Sequence, residues 1–341
     1  MISPNQPVGR KLAITFCYRG FAANWGTRHR VALILEKAGH HVRQIKDGPV
    51  DLTADSVVWI WGNTNWYPGL YAQLTAMSRA QRPLVVLWHT EPLPPPRAAR
   101  LPWPRLNWWE AAKFILRDSG ATDVYTNYLV LRRWVKNGLP DVLVAATLGR
   151  CGFLSERGIV AEWVPLGYEP SCGHDLRLPR DIDVLFLGAQ DVPRRNRLLR
   201  RLRKKGIRIH AVGSYVDPGC WGEHRTELLN RTKILLNLAR TLGEFPDLRL
   251  ILGMANKALV ISEPIYRPDP FVPGRHFISV SIDEMPEKIR YYLAHDEERA
   301  SISERAHGLI TQDVTMERSV SRILDLISVR AHQHALVQSV V

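Results

Sequence analysis

The sequence predicts an α/β protein of two parallel-sheet lobes, and three observations carry the prediction. Short apolar, β-branched runs recur at Lys11–Phe16, Ser56–Trp61, Leu84–Trp88, Asp181–Gly188, Ile207–Val212, Ile234–Leu238 and Leu259–Ser262. Continuous runs of this kind are what strands need when both faces of a parallel sheet are covered. Segments with apolar residues at helical spacing alternate with them. Near mid-chain, Asp181–Gly188 opens a fresh series after a stretch broken by Pro and Gly, and 341 residues are enough for two lobes.

In the first half, Lys11–Phe16 leads into a Gly-containing loop and a helix to about Ala38, with Gly39 as its C-cap. The loop Cys17–Thr27 lacks the full glycine fingerprint of a dinucleotide turn. His89 stands directly beyond the strand Leu84–Trp88, at the lip of the sheet. There an imidazole with an ordinary pKa of about 6.5 can meet a ligand, or it can bond to a nearby carbonyl. Glu91 is a candidate base or a cap. Prolines exclude regular structure over 93–105, and Asn107–Arg117 then reads as a helix. Trp103, Trp108 and Trp109 lie beside basic residues, which fits an edge that touches a membrane. Packing of these aromatics onto the lobe is the preferred expectation. Val124–Thr126 is expected as a short strand, Leu129–Val135 as a helix and Glu162–Leu166 as the strand by which the chain leaves.

The expected organisation is a first lobe over 1–170, a linker over 171–180 and a second lobe over 181–341. Hydrophobic residues make up 45% of the chain and charged residues 23%, as in ordinary globular proteins. No apolar run approaches the roughly 18 residues of a membrane span. Residues 1–10 show no signal-peptide core, so a cytoplasmic protein is expected. Cys17, Cys151, Cys172 and Cys220 lack metal-ligand or C-x-x-C spacing and read as reduced thiols. The net charge of +13 favours anionic partners such as nucleotide phosphates or an acidic membrane surface. Nucleic acid is disfavoured, because no recognition module or basic-aromatic platform is present.

The second lobe carries the most informative segments. After Gly188, the run from Arg194 to Lys205 places eight basic residues within twelve positions. Leu198, Leu199 and Leu202 mark its buried face, so most of the charges face water. Arg194, Arg195 and Arg197 differ, because they fall in the first helical turn above a strand's carboxyl end. Free N–H groups, the helix dipole and planar guanidinium forks favour a phosphate there. Lys233–Gly274 then reads as strand, loop, helix (Leu248–Ala255), strand and loop. Both loops leave the carboxyl ends of strands, where open α/β sheets bind ligands. The first presents Glu244 just before the helix, and the second presents Glu263.

The segment Glu244–Leu252 resembles the donor-sugar motif of GT-B glycosyltransferases, which have two Rossmann-like lobes facing each other across a cleft. The family's first Glu is matched by Glu244, and its second Glu, eight residues on, is replaced by Leu252. Ser262-Glu263-Pro264, Phe271–Gly274 and Ile289–Arg299 resemble the spore-maturation (CgeB-like) branch. The resemblance covers 181–326 well and the first half in outline. It implies transfer of a sugar from a nucleotide-diphosphate sugar to an unspecified acceptor. No DxD-like metal motif is present and basic groups could neutralise the leaving diphosphate, so a route without metal or cofactor is expected. Glu244 would hold donor-sugar hydroxyls, and His89 would contact the sugar or acceptor from the first lobe. Arg194, Arg195, Arg197, Gly188, Ser214, Lys257, Glu263 and Gly274 would form the donor side. Gly20, Gly26 and Glu91 would face the acceptor, and a terminal helix would cross back to brace the first lobe. Asp181-Ile182-Asp183 begins a strand and faces the wrong end for a metal motif. A nucleotide-sugar epimerase or a non-catalytic nucleotide-sugar or anionic-polymer binder would fit the same scaffold. A peripheral position at the inner membrane surface is a further expectation.

Overall fold

A computed structural model describes residues 11–19, 26–116, 118, 123–190, 192–213, 220–240 and 248–338. The first half contains β1 (Ala13–Cys17), α1 (Gly26–Lys37), β2 (His41–Ile45), β3 (Val57–Trp61), α2 (Pro68–Ala76) and β4 (Leu84–His89). It continues with α3 (Trp108–Ile115), α4 (Val124–Lys136), β5 (Val142–Ala145), α5 (Leu148–Ser155) and β6 (Glu162–Trp163). The second half contains β7 (Ile182–Leu187), α6 (Pro193–Lys204), β8 (His210–Val212), α7 (Gly222–Asn230), β9 (Thr232–Asn237) and α8 (Leu248–Ala255). It ends with β10 (Leu259–Ser262), β11 (Ile278–Ser279), α9 (Met285–Ala294), α10 (Asp296–Gln312) and α11 (Met316–Gln338).

These strands form two sheets, ordered β2-β1-β3-β4-β5-β6 and β11-β10-β9-β7-β8. Every pairing described is parallel. The second sheet is doubly wound, and the strand order reverses between β7 and β9. The first sheet follows the same plan with a sixth strand added, and it reverses between β1 and β3. Crevices at the carboxyl ends beside such reversals are where open α/β sheets take ligands. The apolar runs seen in the sequence become strands buried on both faces, as in β3, where all five residues are buried.

Two elements escape the periodicity argument. The edge strand β2, His41-Val42-Arg43-Gln44-Ile45, is mostly exposed and polar, and it is held by pairing along β1. Its Arg43 reaches Thr15 Oγ1 at 2.9 Å and Asp55 Oδ2 at 2.6 Å. The strand expected over Val124–Thr126 is instead the first turn of α4. Asp123 accepts from the Thr126 N–H at 2.8 Å, and the Thr126 hydroxyl accepts from the Asp123 N–H at 2.9 Å. That reciprocal capping box outweighs the β-preference of Val124 and Thr126.

The C-terminal helix joins the two halves. Met316, Val320, Ile323 and Ile327 lie on one stripe of α11 and are buried in the same cluster as Trp59 and Trp88 of the first sheet. The chain entering this helix is clamped to the exit from the first lobe. Tyr168 N–H donates to Val314 O at 2.7 Å, Met316 N–H donates to Tyr168 O at 2.8 Å, and Ser319 Oγ donates to Pro165 O at 2.8 Å. A Cβ on Gly167 would come within 2.2 Å of the Thr315 carbonyl carbon, so the two backbones touch where no side chain fits. Gly167→Ala is therefore expected to lower stability by about 1–3 kcal/mol, read as a lower urea midpoint. An unchanged midpoint would show that this crossing yields without strain.

Candidate active site

The carboxyl ends of β7 and β9 place backbone carbonyls and arginines in one small volume. The sheet ends approach backbone to backbone there: a Cβ on Gly213, after β8, would sit 2.6 Å from the Gly188 nitrogen. Gly213 also has φ +133°, which favours glycine. Gly188 faces the guanidiniums, since a Cβ on it would lie 3.2 Å from Arg249 Nη2 and 3.7 Å from Arg195 Nη1.

Three arginines are fixed around this point. Arg195, buried in the first turn of α6, donates from Nε to Leu238 O at 3.1 Å. Arg249, from α8, donates from Nε to Leu187 O at 3.1 Å and from Nη1 to Asn237 Oδ1 at 2.7 Å. Both guanidiniums lie near the Phe186 ring, with centroid distances of 5.9 and 5.7 Å. Arg194 binds Ala239 O at 2.8 Å and grips Glu263 with both nitrogens at 2.9 and 2.5 Å. Glu263 also accepts from the Ala239 N–H at 3.0 Å, and Asn237 Nδ2 donates to Ser262 Oγ at 2.9 Å. The start of α6 has Pro193 in its first turn and no side-chain cap on Val192. Its N-terminal dipole therefore adds to the arginines instead of being offset by a capping carboxylate. The arrangement suits a multiply charged anion: fixed donors and one countering carboxylate.

The donor-side expectations divide accordingly. Gly188, Arg194, Arg195 and Glu263 come together at the switch point. Arg194 and Glu263 meet as a bidentate ion pair, so the first is not a free clamp and the second has a protein partner. Arg197 points to solvent on the exposed side of α6. Gly274, at φ +78°, lies in an exposed turn closed by its N–H bond to Phe277 O at 2.7 Å.

Lys257 corrects an expectation. It follows α8 and precedes β10, and a crossover helix runs opposite to its strands, so Lys257 sits at the amino edge of the sheet. There it pairs with Asp175 at 3.2 Å and Glu304 at 2.6 Å, which hold its ammonium in the charged form. It has no path to a leaving group at the carboxyl edge. Glu244 and Ser214 lie outside the described residues.

In the first lobe His89 also differs from expectation. It ends β4 but is completely buried, and the segment 92–96 that follows is buried with it. Neither ring nitrogen has a hydrogen-bond partner among the described residues. Burial, and then the positive charge of nearby Arg150, push its pKa down to about 3. The imidazole is therefore neutral at physiological pH and does not reach an open cleft. Beside this strand end Asn63 Nδ2 donates to Asn127 Oδ1 at 2.6 Å, and Asn127 Nδ2 donates to Pro92 O at 2.8 Å. Glu91 is half-buried, Gly26 is the first residue of α1, and Gly20 lies outside the described residues.

The lobes meet above these edges. Thr147 and Leu166 of the first lobe share a narrow cavity with Leu250, Arg267 and Phe271 of the second. A larger cavity of about 470 Å³ lies elsewhere, between the amino end of β5 and α11, and contains none of the arginines described. The cysteines are free, and burial raises the Cys151 thiol to about 11 and the Cys172 thiol to about 12, so neither is a thiolate nucleophile.

Comparison with known structures decides the fold. Sucrose-phosphate synthase from Thermosynechococcus elongatus superposes with a TM-score of 0.61 at 11% identity, covering 93% of this chain and 98% of that one. Anabaena Alr3699/HepE in complex with UDP-glucose gives 0.57 at 8% identity, covering 93% and 99%. The chain has the GT-B fold. TarM matches with a TM-score of 0.56 at 14% identity, and the match covers 82% of this chain and 56% of TarM, so the chain spans little more than half of that relative. In sequence, residues 194–325 match the family described as Glycosyl transferase-like. A search of curated protein sequences gives no match. The matched segment begins at Arg194 and includes Arg249 and Glu263.

Sequence reasoning passed over Arg249. Its signal was present: an arginine on the first turn of a helix that starts above the ligand edge, within the segment that resembles the donor motif.

The buried His89 makes a pH prediction. A histidine that titrates near 6.5 when unfolded and near 3 when folded binds more protons in the unfolded state between those values. Its contribution is intact above pH 6.5 and lost as pH falls toward 3, by up to about 1.4 kcal/mol per pH unit. Urea midpoints of His89→Gln should therefore fall less steeply than wild type from pH 6.5 to 4.5. Parallel slopes would mean that His89 is accessible and protonated normally.

Proposed function

We propose that the chain is a glycosyltransferase that moves a sugar from a nucleotide-diphosphate sugar to an acceptor hydroxyl, without a metal ion. The single observation that carries this reading is the gathering of Arg194, Arg195 and Arg249 at the β7–β9 switch point, beside the uncapped start of α6. The GT-B fold and the Glycosyl transferase-like match over 194–325 support it. So do neighbours of the same fold solved in complex with UDP-glucose or UDP.

In this reading the diphosphate sits over Gly188, where no side chain keeps it from the guanidiniums. The acceptor oxygen attacks the anomeric carbon, and its proton passes to the departing diphosphate oxygen. The bond from that carbon to the terminal phosphate oxygen breaks, and its electron pair leaves with the nucleotide diphosphate. Fixed guanidiniums stabilise the charge that builds on this leaving group, and they need no reorganisation at the moment of reaction. This supplies the role a metal would otherwise fill and supports a metal-independent route. Glu244, on the resemblance of its segment to the donor motif, is assigned to the donor-sugar hydroxyls.

A second reading, a nucleotide-sugar binder without transfer, draws on Leu252. This residue occupies the position of the family's second Glu and is buried in the core, where it offers no polar contact to a ribose.

Two measurements test the proposal. Calorimetric titration with nucleoside diphosphates should show binding that Arg194→Ala with Arg195→Ala weakens at least tenfold, since a hydrogen bond to a charged group is worth roughly 1.5–3 kcal/mol. Unchanged affinity would move the phosphate site elsewhere. Glu244→Gln should cut the release of nucleotide diphosphate from donor sugars by about 10-fold or more, the scale of a lost transition-state contact, with little change in melting temperature. Tight donor binding with no turnover in wild type would favour the second reading.

A further inference from the structure

Among the described residues, exposed large apolar side chains cluster on a single strap that leaves the carboxyl end of β4. Trp103, Leu106, Trp108, Trp109, Ile115 and Leu116 are exposed there, with Trp108 and Ile115 each 78% exposed. The orientation of α3 accounts for most of this. Trp108, Ala112, Ile115 and Leu116 fall at i, i+4, i+7 and i+8, the spacing of an apolar stripe, and all four are exposed. In the same helix Glu110 pairs with Lys113 at 2.9 Å, and Glu110's side chain is only 13% exposed while that of Lys113 is 34% exposed. The apolar stripe of this helix is thus left uncovered by its own lobe, and no residue of the helix is buried. Its orientation is held in place: Asn107 caps the helix, and the Tyr125 hydroxyl of α4 donates to Pro104 O. The expectation of packing onto the lobe is therefore not met for Trp108 and Trp109, whereas the Trp103 ring lies 5.7 Å from the Arg157 guanidinium.

We propose that this strap docks the protein on the surface of an anionic lipid bilayer. The partner's charge follows from the surroundings. Arg97, Arg100 and Arg105 are exposed on the same strap, and the whole chain carries +13. Two copies of so basic a chain repel one another, which argues against a dimer through this face. Tryptophan rings with basic neighbours suit the boundary between headgroups and acyl chains, where the ring is buried and the charges meet phosphate. Among the described residues no helix is long and apolar enough to cross a membrane, so the contact is peripheral. This inference concerns the surface alone and stands whether or not the proposed transfer is correct.

The test is flotation of the full-length chain with vesicles of phosphatidylglycerol and phosphatidylcholine, against vesicles of phosphatidylcholine alone. Binding to the anionic vesicles is expected. Trp108→Ser with Trp109→Ser should weaken it at least tenfold with an unchanged melting temperature, since both rings are largely in water. Arg100→Gln and Arg105→Gln should each cost roughly fivefold, an effect that fades with added salt. No binding to anionic vesicles would overturn the proposal, and so would binding that the tryptophan substitutions leave intact. Self-association in sedimentation that the same substitutions abolish would assign the face to a second copy and overturn it equally.

Discussion

The guanidinium of Arg249 is the interaction around which the second lobe's ligand edge is built. Where strand order reverses in a parallel sheet, the loops after two neighbouring strands leave to opposite faces, and a crevice opens over the strand ends. Buried carbonyls need donors. Arg249 supplies one by binding Leu187 O at the end of β7, and it also binds the side-chain Oδ1 of Asn237 at the end of β9. Arg195 does the same for Leu238 O. Each arginine is held by the backbone it caps. The positive charge at the switch point is consequently fixed in place, which is what stabilising a developing negative charge requires. Fold stability and site preorganisation rest on the same hydrogen bonds.

Strand polarity then decides which other charges can take part. All strands of a lobe point the same way, so every residue after a strand lies at one edge and every residue after a crossover helix lies at the other. Arg194, at the start of α6, and Glu263, after β10, are 69 residues apart and meet as a bidentate pair. Lys257 is six residues from Glu263 and lies at the opposite edge, bound to Asp175 and Glu304. Proximity along the chain is a poor guide here, and position relative to strand direction is a good one.

The two lobes are tied by α11, whose apolar stripe is buried against the first sheet although it follows the second. The backbone crossing of Gly167 and Thr315 and the Tyr168 bridge fix where that helix starts. The two lobes are thus tied by one helix packed as core. The strap from 92 to 116 lies at the carboxyl edge of the first sheet, because it is the loop that follows β4.

The sequence by itself determined the class and most of the elements. Apolar β-branched runs marked the buried strands, and apolar residues at helical spacing marked α8 over Leu248–Ala255, because burial imposes its period directly on local sequence. It also placed Arg194, Arg195 and Glu263 at one edge of the second sheet, since loops after parallel strands share one side. It did not reveal β2, whose exposed polar residues carry no burial signal, nor the first turn of α4, where a cap outweighed local propensity. Only the tertiary structure decided that Arg249 joins the arginine cluster, that Glu263 is paired with Arg194 and that His89 is sealed from solvent. The outward turn of Trp108 and Trp109 belongs with these. Each depends on which distant backbone or side chain fills the facing position, and periodicity, which reports that a residue has a buried or exposed face, does not name the partner across it.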